Sequence, residues 1–433
     1  MWYILRVKRS LFIYYTEGRI VKEYNLNEKN AGITLIALVV TVVVLLILAG
    51  ISISMLTGEN GILNRASEAK EKTKLGQEDE NKILQGYEDI MNQYTGKLPS
   101  REETKPYFPN STFSYKEGDL SSGLVIKDID GNEYVWVEVP TTIYKDSKYN
   151  KNGEPSDADN WEKIRDCLKA YTVDYSNSDY KDTNTDGTTY SDDYKNMLKS
   201  VYTNGGFWIG RYEAGYEIDE SKGETVRDYG TDYSIEHPIT QKVVIKENAY
   251  PYNWVRRDQA QELAQKMNYG ACKGSLIFGI QWDLVLKYIE TKNPDKKSNL
   301  VSDSTKIGNY YDSEFALNRG NFAKHRALST WYNFNSEEKN DLVTGSKKKA
   351  QSSELNAILL TTGATEVASL QNIYDIAGNV WEWTREICNI NYPCIGRGGS
   401  YSRNGSDYSA SCRDSSSTSV SGYDFGFRIG LWK

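Results

Sequence analysis

The residues of this chain that could do chemistry are few. The thiols are Cys167, Cys272, Cys388, Cys394 and Cys412, and the imidazoles are His237 and His325. No CxxC pair is present, which argues against a zinc knuckle. Cys388 and Cys394 are close enough to bridge a short loop, with two unpaired thiols as the alternative; an odd total leaves at least one thiol free. Neither histidine stands near a GxSxG or another nucleophile signature. Carboxylates abound, but no spacing singles out an acid–base pair. One oxygen-rich stretch has ligand spacing: Asp182, Asn184 and Asp186 alternate before Gly187, and Asp193 takes the twelfth place. Alternating oxygens and a turn glycine suit a calcium loop, with a plain polar loop as the bland reading.

The residues most suggestive of a site lie at the C-terminus. Gly378-Asn379-Val380-Trp381-Glu382-Trp383, Arg397-Gly398-Gly399-Ser400-Tyr401 and Gly426-Phe427-Arg428-Ile429 are apolar or glycine-rich blocks. They frame a run of small polar residues and Tyr. Trp381 and Trp383 alternate around Glu382, so both rings are predicted on one core face of a strand. Gly398-Gly399 permits close backbone packing. From Tyr401 to Phe425 there is no Lys, Glu, Gln, Met or Trp, although these types make up roughly a fifth of the chain. They are the types that cannot be encoded when the first two bases of an AAC or AAT codon are randomised. The candidate ligand-binding residues are Tyr401, Ser402, Arg403, Asn404, Ser406, Asp407, Tyr408, Ser411, Arg413, Asp414, Ser415, Ser417, Ser419, Ser421, Tyr423 and Asp424. Tyr401, Tyr408 and Tyr423 are the expected low-entropy anchors, and Arg403, Asp407, Arg413, Asp414 and Asp424 the charged selectors. An ordinary polar loop is the competing interpretation.

The elements that must position these residues follow from pattern. Leu124–Ile126 and Tyr134–Val139 flank an Asp-Gly turn and predict a β-hairpin. Phe207 to Ala214 has strand character. Helices are predicted at about 162–171, from Trp254 through Met267, and at 280–289. Residues 141–205 are poor in apolar periodicity and are taken as an insertion. The result is an α+β domain over 123–433.

Residues 33–55, ITLIALVVTVVVLLILAGISISM, carry no charge and are long enough to span a bilayer, for which ~20 residues suffice. Arg6, Lys8, Arg9, Arg19, Lys22 and Lys29 precede them and favour a cytoplasmic N-terminus. A charged amphipathic stem is predicted over about 64–94, giving 1–32 as leader, 33–96 as hydrophobic helix and stem, and 97–122 as linker. With a net charge of -7 and no basic stripe, the chain is not expected to bind nucleic acid.

Two resemblances follow from these residues. Ala31-Gly32 before Ile33-Thr34-Leu35-Ile36 resembles the prepilin signal of type IV pilins and pseudopilins. This implies cleavage between Gly32 and Ile33 by a prepilin peptidase and contact with pilus machinery. Ala37 stands where those families carry a glutamate, which puts polymerisation in doubt and leaves a plain membrane anchor as the alternative. Phe207-Trp208-Ile209-Gly210-Arg211-Tyr212-Glu213, the Trp282 helix and the three C-terminal blocks resemble the formylglycine-generating-enzyme (sulfatase-modifying factor) superfamily, whose domain has a C-type-lectin-like fold. That resemblance covers about 124–433 apart from the insertion. It implies copper-binding cysteines at the positions of Arg403 and Tyr408, where this chain has none, and a structural calcium near Asn379 and Glu382. The C-terminal frame is also similar to the variable proteins of diversity-generating retroelements, in which the variable side chains form a ligand-binding face. The expectation is a non-catalytic, surface-displayed protein, anchored through 33–55, that binds a protein or glycan ligand and carries structural Ca2+. The alternatives are an enzyme of the superfamily with relocated catalytic groups and a structural minor pilin.

Overall fold

The computed structural model describes residues 98–336 and 342–433 throughout. Before Leu98 it describes only 3–7, 10–14, 24–25, 38–44, 70 and 72–74. The chain divides into two units, Met1–Gln85 and Gly86–Lys433. In the first, Tyr3–Val7 and Ser10–Tyr14 pair antiparallel, and Tyr24–Asn25 adds to Ser10–Tyr14. No sheet was expected in this leader. The 38–44 segment is helical, with Leu38, Val39, Val40, Val42, Val43 and Val44 exposed. Among the described residues no helix is long and apolar enough to cross a membrane. The remainder of the span expected at 33–55, the Gly32–Ile33 junction and most of the stem lie outside the described residues.

The second unit mixes helices and sheets. Its main sheet is built from β1 (Ser114–Glu117), β2 (Val125–Lys127), β3 (Glu133–Glu138), β4 (Gly206–Gly210), β5 (Lys273–Leu276) and β10 (Ile429–Trp432). The order is β5-β10-β4-β3-β2-β1, with every pair antiparallel. Side chains alternate across a pleated strand. Val135, Val137, Phe207 and Ile209 therefore enter one core cluster, and Tyr134, Trp136 and Trp208 the other. Apolar side chains on both faces demand cover on both sides.

Helices cover the first face. They are α1 (Trp161–Tyr171), α2 (Asp192–Asn204) and α4 (Gly279–Lys292). Ile164, Cys167 and Leu168 of α1 share a cluster with Tyr194, Met197, Leu198 and Val201 of α2 and with Trp282, Val285 and Ile289 of α4. Ser191 caps α2 by accepting from the Tyr194 N–H, and Gly205 ends it at φ 66°. The expectation that 141–205 is an insertion is therefore corrected: two amphipathic helices in that stretch form part of the core. The 97–122 stretch is likewise no mere linker. It supplies edge strand β1, buries Leu98, Phe113 and Leu120, and places the Thr104 hydroxyl as acceptor for the Trp136 indole N–H at 2.7 Å.

A second sheet and α3 (Arg257–Gln265) pack on the opposite cluster. Its strands are β6 (Trp381–Thr384), β7 (Cys394–Arg397), β8 (Arg413–Ser416) and β9 (Phe425–Phe427), in the order β8-β7-β6-β9. β6 and β9 are parallel and the other neighbours antiparallel. Arg428 is the one residue between β9 and β10, so the chain passes from one sheet to the other at a buried cation.

Candidate functional site

The W-E-W strand behaves as its alternation predicts. Trp381 and Trp383 are fully buried; the Phe425 ring stacks on Trp383 at 4.4 Å, and the Trp383 indole donates to the Val255 carbonyl at 2.8 Å. Glu382, between them, meets Arg428 on the other face. The guanidinium donates through Nε to Oε2 at 2.9 Å and through Nη2 to Oε1 at 2.6 Å. Its remaining donors reach the carbonyls of Gly210 (2.9 Å) and Tyr374 (2.7 Å). Burial pushes the Glu382 carboxyl up to about 7, while Arg428 works in the other direction. This forked pair fixes the crossing between the sheets.

Asn379 adopts φ 59°, in the left-handed region that asparagine tolerates better than most residues. Its amide donates to Glu213 at 2.8 Å, and its Oδ1 accepts from Asn309 at 3.0 Å and the Leu360 N–H at 3.1 Å. The expected calcium contribution of Asn379 and Glu382 is corrected on this ground: both side chains are spent on protein partners, and the cation beside Glu382 is Arg428. The loop at 182 fares likewise. Asp182 is turned inward and accepts from the first two N–H groups of α4, Gly279 at 2.6 Å and Ile280 at 2.9 Å. Asp193 pairs with Lys273 at 3.2 Å and Arg385 at 3.1 Å. Asp186 accepts from Thr188 and Thr189 within its own turn, and Asn184 donates to Thr189. Asp182 and Asp193 thus serve partners outside the loop, while Asn184 and Asp186 share Thr189 within it. Among the described residues no group of three or more His, Cys, Asp or Glu side chains could hold a metal ion.

The C-terminal run is buried at both ends, and between them exposed positions alternate with the buried Gly405, Ser409 and Ala410. Tyr401 is fully buried, with His325 and Tyr423 against its ring. Ser402 and Ser400 donate to Asp424 at 2.9 and 3.1 Å. Burial holds the Asp424 carboxyl above its usual range, against the hydrogen bond from Ser402. Ser421 donates its hydroxyl to the Ile235 carbonyl at 3.0 Å. Tyr401, Ser402, Ser421 and Asp424 are accordingly corrected from contact residues to supports of the loop. Between them Ser406, Asp407 and Ser419 are exposed. Arg403, Asn404, Tyr408, Ser411, Asp414, Ser415, Ser417 and Tyr423 are half-buried. Among the described residues β8 pairs only with β7 and forms the edge of its sheet.

Gly399 holds this run close. At φ 78° it occupies the left-handed region, and a Cβ there would stand 2.3 Å from the Tyr408 carbonyl oxygen. Arg403 and Tyr408, the positions to which the resemblance assigned copper cysteines, touch one another. The guanidinium lies over the Tyr408 ring at 5.3 Å, and the ring meets Trp381 edge-on at 5.7 Å. All five cysteines are free thiols, so Cys388 and Cys394 are unbridged in this structure. Burial raises the pKa of Cys412, which disfavours its thiolate. His237 stacks on Tyr229 at 3.9 Å, and His325 stands edge-on to Tyr423 at 4.8 Å.

Arg413 faces inward, where sequence reasoning had given it an outward role. It and Arg397 close a buried ring with Asp283 and Glu386. Arg397 reaches Asp283 at 2.8 Å and Glu386 at 3.2 Å; Arg413 reaches Asp283 at 2.9 Å and Glu386 at 2.8 Å. Burial opposes the Arg413 charge, but Glu386 and Asp283 more than offset it and its pKa stands above the ordinary value. No sequence pattern pairs Asp283 and Glu386 with these arginines. The signal for Asp283 was a charge inside the apolar run Ile280-Gln281-Trp282-Asp283-Leu284-Val285-Leu286.

Comparison with known proteins finds a family match over the C-terminal part of the chain. No curated protein matches the chain. Among solved structures, "Crystal Structure of CarF" is similar at 13% identity and TM-score 0.29, over 53% of this chain and 87% of that one. "Treponema denticola variable protein 1" is similar at 13% identity and TM-score 0.19, over 74% and 91%. Residues 300–430, which hold the W-E-W strand, the ion ring's Glu386, Arg397 and Arg413, and the C-terminal run, match the family described as Sulfatase-modifying factor enzyme 1-like domain.

Proposed function

We propose that this chain is a non-catalytic binding protein. Its recognition face is made by the outward side chains between Arg403 and Tyr423 on a C-type-lectin-like scaffold, and the hydrophobic segment at 33–55 anchors it for display on the cell surface. The observation that carries the reading is the division of the C-terminal run. Tyr401, Ser402, Ser421 and Asp424 are buried at its two ends, while Ser406, Asp407 and Ser419 are exposed between them. A loop pinned at both ends by a rigid core can change its outward side chains at little cost to the fold. Arg403 and Tyr408 support the non-catalytic half of the reading. A guanidinium stacked on a phenol offers no thiolate to soft copper. The residue types from Tyr401 to Phe425 support diversification by substitution at asparagine codons, as in retroelement variable proteins.

The test screens the full-length chain against protein and glycan arrays, alongside a copper-loaded assay on a cysteine-containing peptide. Specific capture that is lost on Asp407→Ala, with the melting temperature unchanged, supports the reading. Conversion of the peptide cysteine to an aldehyde would defeat it.

A further inference from the structure

A buried lysine lies outside the recognition face. Lys347 and Lys348 form a short strand that pairs with Phe315–Ala316 and with Val343–Thr344. Alternation sends their side chains opposite ways. Lys347 is exposed and pairs with Glu314 at 2.5 Å, whereas Lys348 is fully buried. The Lys348 Nζ donates to Asn309 Oδ1 at 2.9 Å and to the Tyr310 carbonyl, and it lies over the Phe315 ring at 5.3 Å. No carboxylate among the described residues comes within ion-pair distance of it. Burial pushes its amine down to about 7, with the Asp312 charge acting the other way. A desolvated lysine amine is a nucleophile near neutral pH.

The group it faces is held as firmly. Asn309 is fully buried, and its Nδ2 donates to the Ile358 carbonyl at 2.9 Å and to Asn379 Oδ1 at 3.0 Å. Those two bonds turn the amide oxygen toward Lys348. The Asn309 carbonyl also accepts from the Asn379 N–H at 2.9 Å, which fixes the backbone beneath the side chain. Neither partner can rotate away without leaving a buried polar group unpaired. A carboxamide reacts slowly with a free amine in water, but a buried pair fixed in contact gains the large advantage of proximity.

We propose that Lys348 and Asn309 join in an intramolecular amide, a covalent staple between the 343–348 hairpin and the segment that lies against Gly378-Asn379. Lys348 Nζ bonds to Asn309 Cγ, and the Cγ–Nδ2 bond breaks. The proton lost by Nζ goes to Nδ2, which leaves as ammonia. No atom is oxidised or reduced and no co-reactant is consumed. The two oxygens to which Nδ2 donates hold the departing nitrogen as it gains that proton. The product removes a buried cationic group and closes the chain from 309 to 348, as a disulfide would, in a unit whose five thiols are free. Tyr311, two residues beyond Asn309, donates its N–H to the Arg403 carbonyl at 3.0 Å, so the staple ends beside the base of the C-terminal run.

The staple uses none of the residues of the recognition face, so the two readings stand or fall separately. The experiment digests the full-length chain with trypsin and maps the peptides by mass spectrometry. The 307–319 peptide is expected joined to the 348–349 peptide, lighter than their sum by one ammonia and uncut after Lys348. Asp407→Ala should leave this branched peptide in place. Lys348→Met should release a free 307–319 peptide and lower the melting temperature, because the loop is no longer closed. In an unjoined chain the same substitution only replaces a buried amine with an apolar group, and the melting temperature would hold or rise. A free 307–319 peptide as the main wild-type species, or ammonia loss mapped to an Asn-Gly pair with no branched peptide, would overturn the proposal. The wild-type map decides this even where the Lys348→Met chain fails to fold.

Discussion

At the scale of single residues, the polar run after Gly399 holds two kinds of side chain that composition cannot tell apart. Tyr401 and Tyr408 read alike in the sequence, yet one ring is enclosed by His325 and Tyr423 and the other is half-buried beside Arg403. Tyr401→Ala should therefore cost about 3–5 kcal/mol in chemical denaturation, the usual cost of truncating a large buried aromatic. Asp407→Ala should stay within about 0.5 kcal/mol. Arg413→Ala leaves Asp283 and Glu386 buried with Arg397 alone, and should cost about 3 kcal/mol by the same measurement. The inward turn of Arg413 was not legible, because its partners lie on α4 and after β6, far away in the chain. His325 gives a pH signature. Burial, with Arg326 adding to it, lowers its pKa to about 4, so the unfolded chain binds the proton first as pH falls. This contribution to stability is present above the unfolded value of about 6.5 and is lost between there and about 4. Raised carboxyls such as Asp375, at about 6, act with the opposite sign, so the His325 part is read as a difference. The denaturant midpoint of wild type minus that of His325→Phe should fall as pH drops from about 6.5 to about 4; a constant difference would refute it.

At the scale of elements, what was legible is what has a short period. The hairpin at 125–138, α1, α3 and α4 fall close to where apolar spacing put them, and the W-E-W strand buries its two rings as alternation requires. α2 was missed although Tyr194, Met197, Leu198 and Val201 have helical spacing, because the Asp- and Asn-rich stretch before them masked it. The calcium loop failed for a different reason. Ligand spacing along a chain says nothing of competitors, and here the α4 N-terminus takes Asp182 while Arg385 and Lys273 take Asp193. Trp383→Ala should destabilise the unit by about 3–5 kcal/mol, since its ring joins the second sheet to the core. Gly399→Ala should lower the melting temperature as well, because its Cβ meets the Tyr408 carbonyl and its φ is positive.

At the scale of the whole molecule, the account divides labour between a core that resists change and a face that accepts it. Seven of the largest fully buried side chains are tryptophans, Trp136, Trp208, Trp254, Trp282, Trp381, Trp383 and Trp432, and five of them stand on strands of the two sheets. The measurement that tests this division most directly compares binding and stability in one variant. Ser406, Asp407 and Ser419 are replaced together by Tyr, Asn and Arg in the full-length chain, and both its array-binding profile and its denaturation midpoint are recorded. The account predicts an altered profile at an unchanged midpoint. An unaltered profile, or a midpoint that falls as far as that of Trp383→Ala, would contradict it.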